Sequence, residues 1–89
     1  MDLGYKFIRV VPKPLEPGRK TCDYDVLNRS GGYPLAKIRW YGQWRQYCLF
    51  PSPGMVWSAG CLRDVLDAMG IIDRARKISS VAREPGEEG

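Results

Sequence analysis

The stretch that decides the fold is residues 35–50, with the sequence LAKIRWYGQWRQYCLF. Apolar and polar side chains alternate on both sides of Gly42, and this period of two is typical of β-strands with one buried face. A glycine at the first central position favours a two-residue type II′ turn at Gly42-Gln43. The stretch therefore predicts a hairpin of two antiparallel strands, Leu35–Tyr41 and Trp44–Phe50.

A two-residue turn would place Tyr41 opposite Trp44, and this register assigns every hairpin side chain to one of two faces. The mostly apolar face is expected to lie against the core. It comprises Ala36, Ile38, Trp40, Arg45, Tyr47 and Leu49. Its one charge, Arg45, is predicted to make a cation–π contact with Trp40. The other face combines cations with aromatic rings, and we expect it to face solvent or a partner.

Two further strands are predicted before the hairpin, at Tyr5–Val11 and Tyr24–Arg29, where aromatic and β-branched residues cluster. Between them lies the segment 12–20, PKPLEPGRK. Its three prolines and one glycine exclude both a regular helix and a central strand, so it is predicted to be a loop.

A helix is predicted after the hairpin, with Ser58 as its N-cap. Apolar residues recur at helical spacing over Ala59–Met69. They are Cys61, Leu62, Val65, Leu66 and Met69. Gly70 follows where a C-cap glycine belongs. Residues 73–83 predict a second short helix, and the acidic residues 84–89 predict a disordered tail.

The order of these elements predicts an α+β fold in which a small antiparallel sheet of three or four strands carries one amphipathic α-helix on one face. The length of 89 residues is about that of one small domain, which we expect to span residues 1–83.

The composition argues against an enzyme. The chain has no histidine, the commonest acid–base group and metal ligand, and no Gly-rich phosphate loop. Asp64 and Asp67 are three residues apart, but they are better interpreted as a solvated helix face. We therefore expect no catalytic residue, no cofactor and no metal site.

The cysteines and the hydropathy pattern bear on location. Cys22, Cys48 and Cys61 have a spacing that suits neither a disulfide framework nor a zinc site, so they are interpreted as reduced thiols. No apolar run approaches the length of a membrane span, and the N-terminus lacks the pattern of a signal peptide. These features predict a cytoplasmic protein without a membrane partner.

Positive charge is concentrated in the N-terminal half. Residues 1–50 hold nine Lys or Arg against four Asp or Glu, whereas residues 51–89 hold five against six. Cations interleaved with aromatic rings on an open sheet suit phosphates and stacked bases. The predicted contact residues are Lys37, Arg39, Tyr41, Trp44 and Gln46, with help from Lys13, Arg19 and Lys20.

The block Ile38–Pro51, followed by Pro53-Gly54, Val56-Trp57 and Ala59–Asp64, resembles a group of small uncharacterised proteins of bacteriophages and prophages. The resemblance covers about 30 of the 89 residues. It implies a phage or mobile-element origin and a small protein acting on host or phage machinery in the host cytoplasm.

At the level of architecture, a sheet followed by a C-terminal helix is similar to AP2-type and integrase-arm DNA-binding domains, which read the major groove with sheet residues. This similarity implies contacts near Arg39, Trp40 and Arg45.

Several functions stay open at this point. The chain could be a nucleic-acid-binding module, or a protein-binding inhibitor or adaptor of the anti-CRISPR type that acts on a host protein or ribonucleoprotein complex. In the second case Tyr41 and Trp44 would be the anchors. A homodimer through an exposed sheet edge is a third alternative. The structural alternative is that Tyr41 and Trp44 stabilise the hairpin while Lys37 and Arg39 keep that face soluble.

Overall fold

Five antiparallel strands form one sheet, and a single helix covers one of its faces, in a computed structural model that describes residues 2–83, with side chains as far as residue 77. The strands are β1 (Leu3–Gly4), β2 (Ile8–Pro12), β3 (Tyr24–Asn28), β4 (Pro34–Tyr41) and β5 (Gln46–Pro51), and the helix is α1 (Ala59–Arg83). The strands lie in the sheet in their chain order, which makes a meander. The predicted α+β class is confirmed.

The strand count and the start of the first long strand differ from the prediction. The short strand β1 pairs with β2, so the sheet has five strands and not three or four. The predicted strand Tyr5–Val11 begins only at Ile8, because residues 5–7 turn the chain between β1 and β2. In that turn the Tyr5 N–H donates to the Ile8 carbonyl at 2.9 Å. The predicted tail at 84–89 lies outside the described residues.

The core lies between one face of the sheet and the helix. Successive side chains of a strand point to opposite faces, so alternate residues are buried. The buried residues are Ile8, Val10, Tyr24, Val26, Ala36, Ile38 and Tyr47 from the sheet and Val65, Ala68 and Ile72 from the helix. The residues between them on the strands form the opposite face, which we call the open face. It carries, among others, Arg9, Val11, Asp25, Lys37, Arg39, Tyr41, Gln46, Cys48 and Phe50.

The helix begins as predicted but does not end where predicted. The Ser58 hydroxyl accepts a hydrogen bond from the Cys61 N–H at 3.1 Å, which is an N-cap contact. Gly70 lies inside the helix, and the predicted second helix at 73–83 is its continuation. Asp73 forms ion pairs with two cations one turn further on, and such pairs favour the added turns.

Nowhere in the part of the chain that the structure describes is a helix long and apolar enough to cross a membrane.

The buried side of the helix also differs from the prediction. Leu62 and Leu66 are 48% and 70% exposed, whereas Val65, Ala68 and Ile72 are buried. The predicted apolar stripe spans Ala59–Met69 only. The continuous helix adds Ile72, which shares a face with Val65 and Ala68 at helical spacing. The face turned to the sheet is therefore centred on those three residues.

The N-terminal segment is fastened to the helix through Tyr5. Its hydroxyl donates a hydrogen bond to the Asp67 carboxylate at 2.8 Å. Burial raises the pKa of Tyr5 to about 12, and the hydrogen bond and the negative charges of Asp67 and Asp64 act in the same direction. Asp67, which was interpreted as part of a solvated helix face, thus has a structural partner.

Two truncations of similar size test the observed helix face. We expect Ile72→Ala to lower the free energy of unfolding by about 2–5 kcal/mol, because it leaves a cavity in the core. Leu66→Ala should change it by no more than about 0.5 kcal/mol, because that side chain is mostly exposed. Urea unfolding followed by circular dichroism measures both values. A larger loss for Leu66→Ala would mean that the helix faces the sheet with its other side.

Gly70→Ala tests the continuity of the helix. A Cβ at Gly70 would meet the Arg74 Nη1 atom at 3.6 Å, an ordinary contact. Alanine has the higher helix propensity, so the free energy of unfolding should rise by about 0.5–1 kcal/mol. Gly32→Ala is the opposite control, because Gly32 has a φ of 76° and alanine there should destabilise by about 1 kcal/mol. Destabilisation by Gly70→Ala would indicate a helix end at this position.

The Tyr5–Asp67 contact predicts a loss of stability at alkaline pH. The folded-state pKa of Tyr5, about 12, lies above the unfolded value of 10.0, so the unfolded chain loses this proton first. The contribution is complete below pH 10 and is lost as the pH rises towards 12. We expect the stability difference between wild type and Tyr5→Phe to shrink over this range in urea unfolding experiments. A difference that stays constant from pH 8 upward would contradict the assignment.

Candidate functional site

The turn of the β4–β5 hairpin has four residues rather than the predicted two. Tyr41 pairs with Gln46 in the sheet, and residues 42–45 form the turn. The positive φ of 54° belongs to Arg45, while Gly42 is not among the residues with positive φ, so the type II′ prediction is wrong. The register moves by two residues. Because two is an even number, every paired side chain stays on the face that the sequence predicted.

The longer turn removes Arg45 from the core face. Trp40 lies opposite Tyr47 instead, and the two rings meet edge to face with centroids 5.4 Å apart. The cation over Trp40 comes from the helix, where the Arg76 Cζ lies 4.6 Å from the ring centroid. The predicted Arg45–Trp40 contact is therefore wrong. The edge-to-face contact of Trp40 with Tyr47 favours the observed register.

Three aromatic rings meet at this end of the open face. The Tyr41 ring contacts the Trp44 ring at 5.1 Å and the Phe50 ring at 6.2 Å, both edge to face. Trp44 is a turn residue and is 65% exposed. The predicted strand pairing of Tyr41 with Trp44 is wrong, but the turn folds the two rings together. Phe50 was not among the predicted contact residues, although the hairpin pattern had placed it on this face.

Asp23 connects the loop between β2 and β3 to the open face. Its carboxylate accepts hydrogen bonds from Arg19 at 3.0 and 3.3 Å and lies 3.4 Å from the Arg39 Nε. These hydrogen bonds, followed by the charge of Asp23, raise the pKa of the Arg19 guanidinium. The Arg39 guanidinium also lies over the Phe50 ring at 5.7 Å. Sequence reasoning missed Asp23, which partly neutralises two of the predicted cations.

The other predicted contact residues lie near this network. Lys37 is exposed and pairs with Phe50, and Gln46 is exposed and pairs with Tyr41. Lys13 and Lys20 are exposed in the β2–β3 loop. In a meander, that loop and the β4–β5 turn are at the same end of the sheet. The eight predicted residues therefore come from β4, β5, the β4–β5 turn and the β2–β3 loop, and the contacts of Asp23 with Arg19 and Arg39 link the loop to the strands.

We call this region the basic–aromatic patch. It comprises Lys13, Arg19, Lys20, Lys37, Arg39, Tyr41, Trp44, Gln46 and Phe50. Arg45 lies in the adjoining turn, and the acidic residues of this region are Glu16, Asp23 and Asp25. Cations outnumber carboxylates by six to three, so the local charge is positive.

Cysteine and acidic side chains are the candidate metal ligands of this chain, because it has no histidine. Within the described residues, no three His, Cys, Asp or Glu side chains lie close enough together to hold a metal ion. Cys22, Cys48 and Cys61 are free thiols. The Cys22 thiol donates to the Lys13 carbonyl at 3.1 Å, next to the hydrogen bond of 2.9 Å from the Lys13 N–H to the Asp23 carbonyl. These contacts hold the two ends of the loop together.

The chain has a relative among known proteins. It is 33% identical over 61 residues to an uncharacterized 9.3 kDa protein of Acholeplasma phage L2, and the alignment covers 68% of this chain and 78% of the phage protein. No protein-family model and no solved structure matches the chain. The expected resemblance to a bacteriophage protein is confirmed at this level. The relation does not test the particular sequence block over residues 38–64.

Proposed function

The chain belongs to the same family as the Acholeplasma phage protein, and we propose that it is a non-catalytic phage-type binding protein whose basic–aromatic patch contacts nucleic acid in the host cytoplasm. The observation that carries the proposal is the cluster of Tyr41 with the exposed rings of Trp44 and Phe50 among cations on the face that the helix leaves uncovered.

The aromatic rings supply surfaces for base stacking. Trp44 is mostly exposed at the tip of the hairpin, and its contact with Tyr41 holds the ring in one place without covering it. Stacking of a base on such a ring contributes about 1–3 kcal/mol and tolerates any base sequence. A patch built on stacking therefore favours accessible bases over a particular sequence.

The cations supply phosphate contacts. Within the described residues, Lys13, Lys20 and Lys37 form no salt bridge with a carboxylate, so their ammonium groups can bind phosphate. Arg39 is held by Asp23 through its Nε, which leaves the remaining N–H donors of its guanidinium for a ligand. Asp23 thus orients Arg39 and at the same time lowers the net positive charge around the patch.

Contacts through Trp40, which the similarity to AP2-type domains implied, do not enter the proposal. Trp40 lies on the core face between Tyr47 and Arg76. Stacking on Trp44 and its neighbours is a different mode of binding from reading a groove with a sheet.

A second candidate is a protein-binding inhibitor of a host defence system that uses the same patch; a homodimeric adaptor would instead pair through an exposed sheet edge. Trp, Tyr and Arg side chains dominate protein–protein hot spots, and the carboxylates next to the patch lower its attraction for a polyanion. A protein partner would bind with little dependence on salt, whereas a nucleic acid would bind with a strong one.

Fluorescence anisotropy with labelled single-stranded and duplex oligonucleotides tests the proposal. We expect Trp44→Ala to weaken binding about tenfold, through the loss of a stacking surface. Lys37→Ala should reduce the slope of log affinity against log salt by about 0.7 on single strands. Asp23→Asn should strengthen binding, because it removes the carboxylate that two arginines share.

Leu66→Ala and Arg63→Ala are the matched controls, since both residues are exposed on the helix, away from the open face. Both should bind as wild type does. If Trp44→Ala and Lys37→Ala also bind as wild type does, or if wild type binds no oligonucleotide at low salt, the proposal is wrong. A salt-resistant and nuclease-resistant protein captured from host lysate, and lost with Trp44→Ala, would favour the second candidate.

A further inference from the structure

A cleft lies at the end of the sheet opposite the basic–aromatic patch. It has a volume of about 450 Å³ and is lined by Lys6, Phe7, Asn28, Arg29 and Ser30. These residues come from the β1–β2 turn, from the last position of β3 and from the two residues that follow it. All of them lie at the end of the meander opposite the basic–aromatic patch. The volume is in the range of clefts that hold small ligands.

The register places Phe7 on the open face. The Arg29 N–H donates to the Phe7 carbonyl at 2.9 Å, which continues the β2–β3 pairing one step beyond Ile8 and Asn28. Ile8 is buried in the core, so its neighbour Phe7 lies on the alternate side. Phe7 is 55% exposed, which leaves its ring accessible.

Two cations line the same cleft as this ring. The Arg29 Nη1 donates a hydrogen bond to the Tyr5 carbonyl at 2.9 Å. A Cβ atom at Gly4 would lie only 3.1 Å from the same Nη1 atom. The absence of a side chain at Gly4 therefore makes room for the guanidinium. The hydrogen bond to Tyr5 uses one of five N–H donors. The Lys6 Nζ lies 5.3 Å from the centroid of the Phe7 ring.

Neither cation has a salt bridge within the part of the chain that the structure describes. An arginine held by a backbone carbonyl keeps its charge, and its planar fork suits the oxygens of a phosphate. The cleft thus combines an oriented guanidinium, an ammonium group and an exposed ring. This combination suits a phosphodiester with its adjoining base.

We infer that this cleft is a second subsite for one nucleotide unit of a single-stranded nucleic acid, with Arg29 and Lys6 on the phosphate and Phe7 stacked on the base. The inference rests on the proposed function, because the same strand would also occupy the basic–aromatic patch. Both sites lie on the open face, at diagonally opposite corners.

The separation of the two sites favours a single strand. Tyr24 pairs with Ile38, and from this pair Arg29 is five residues away in one direction and Tyr41 three residues away in the other. Eight residues at about 3.3 Å each separate the sites by about 26 Å along the strands. Both sites stack a base, and paired bases inside a duplex do not offer their faces. A flexible single strand can present unpaired bases to both sites, and related binding surfaces cover about 4–16 nucleotides.

The test compares oligonucleotides of two lengths by fluorescence anisotropy, with oligodeoxythymidine and oligouridine as probes. A strand of about 12 nucleotides can reach both sites, whereas one of about 3 can occupy only one. We expect wild type to bind the longer strand more tightly than the shorter. Phe7→Ala and Lys6→Ala should each weaken binding of the longer strand about tenfold, and should leave the shorter strand, bound at the basic–aromatic patch, unaffected.

Leu66→Ala and Arg63→Ala again serve as controls for the loss of an apolar side chain and of a positive charge. Thermal unfolding checks that Phe7→Ala and Lys6→Ala are folded, which we expect because both side chains are exposed. If the two variants bind the longer strand as wild type does while Trp44→Ala does not, the second subsite is wrong and the proposed function stands. If wild type binds neither strand, both are wrong.

Discussion

The helix buries Val65, Ala68 and Ile72 against one face of the sheet, and this contact divides the molecule into a core face and an open face. Fully burying an aliphatic side chain stabilises a fold by about 1.5–3 kcal/mol, so the side of the sheet that the helix covers is strongly determined. The location of both proposed binding sites follows from which face of the sheet the helix covers. The aromatic rings and cations of the open face are accessible because the helix lies on the other side.

The wrong turn length did not change the predicted faces of β4 and β5, because side chains alternate between the two faces of a strand. The hairpin register differs by two residues from the one expected, yet Lys37, Arg39 and Tyr41 stay on the open face, because side chains repeat every second residue. A shift of one residue would have exchanged the two faces. Arg45 shows the opposite case, since it left the strand for the turn and lost its predicted contact.

The local charge of the open face depends on which charged residues the tertiary structure brings together, and not only on how many there are in the sequence. Arg19 lies four residues from Asp23 and meets it within the loop, whereas Arg39 is 16 residues from Asp23 and meets it only because β3 and β4 pair. Lys6 and Arg29 are likewise brought to one cleft by the pairing of β2 with β3. A sum over the N-terminal half correctly indicates a positive field there. It does not show which cations already have a carboxylate beside them.

The sequence by itself determined what depends on near neighbours: the strands β3, β4 and β5, through their period of two, and the start of the helix, through the Ser58 cap. It also determined which of the paired residues of β4 and β5 share a face. Only the tertiary structure decided the turn length, the end of the helix beyond Gly70 and the helix face that is buried. The physical reason is that each of these is chosen by distant partners, such as Tyr47 against Trp40 or Ile72 in the core, whose packing outweighs local preference.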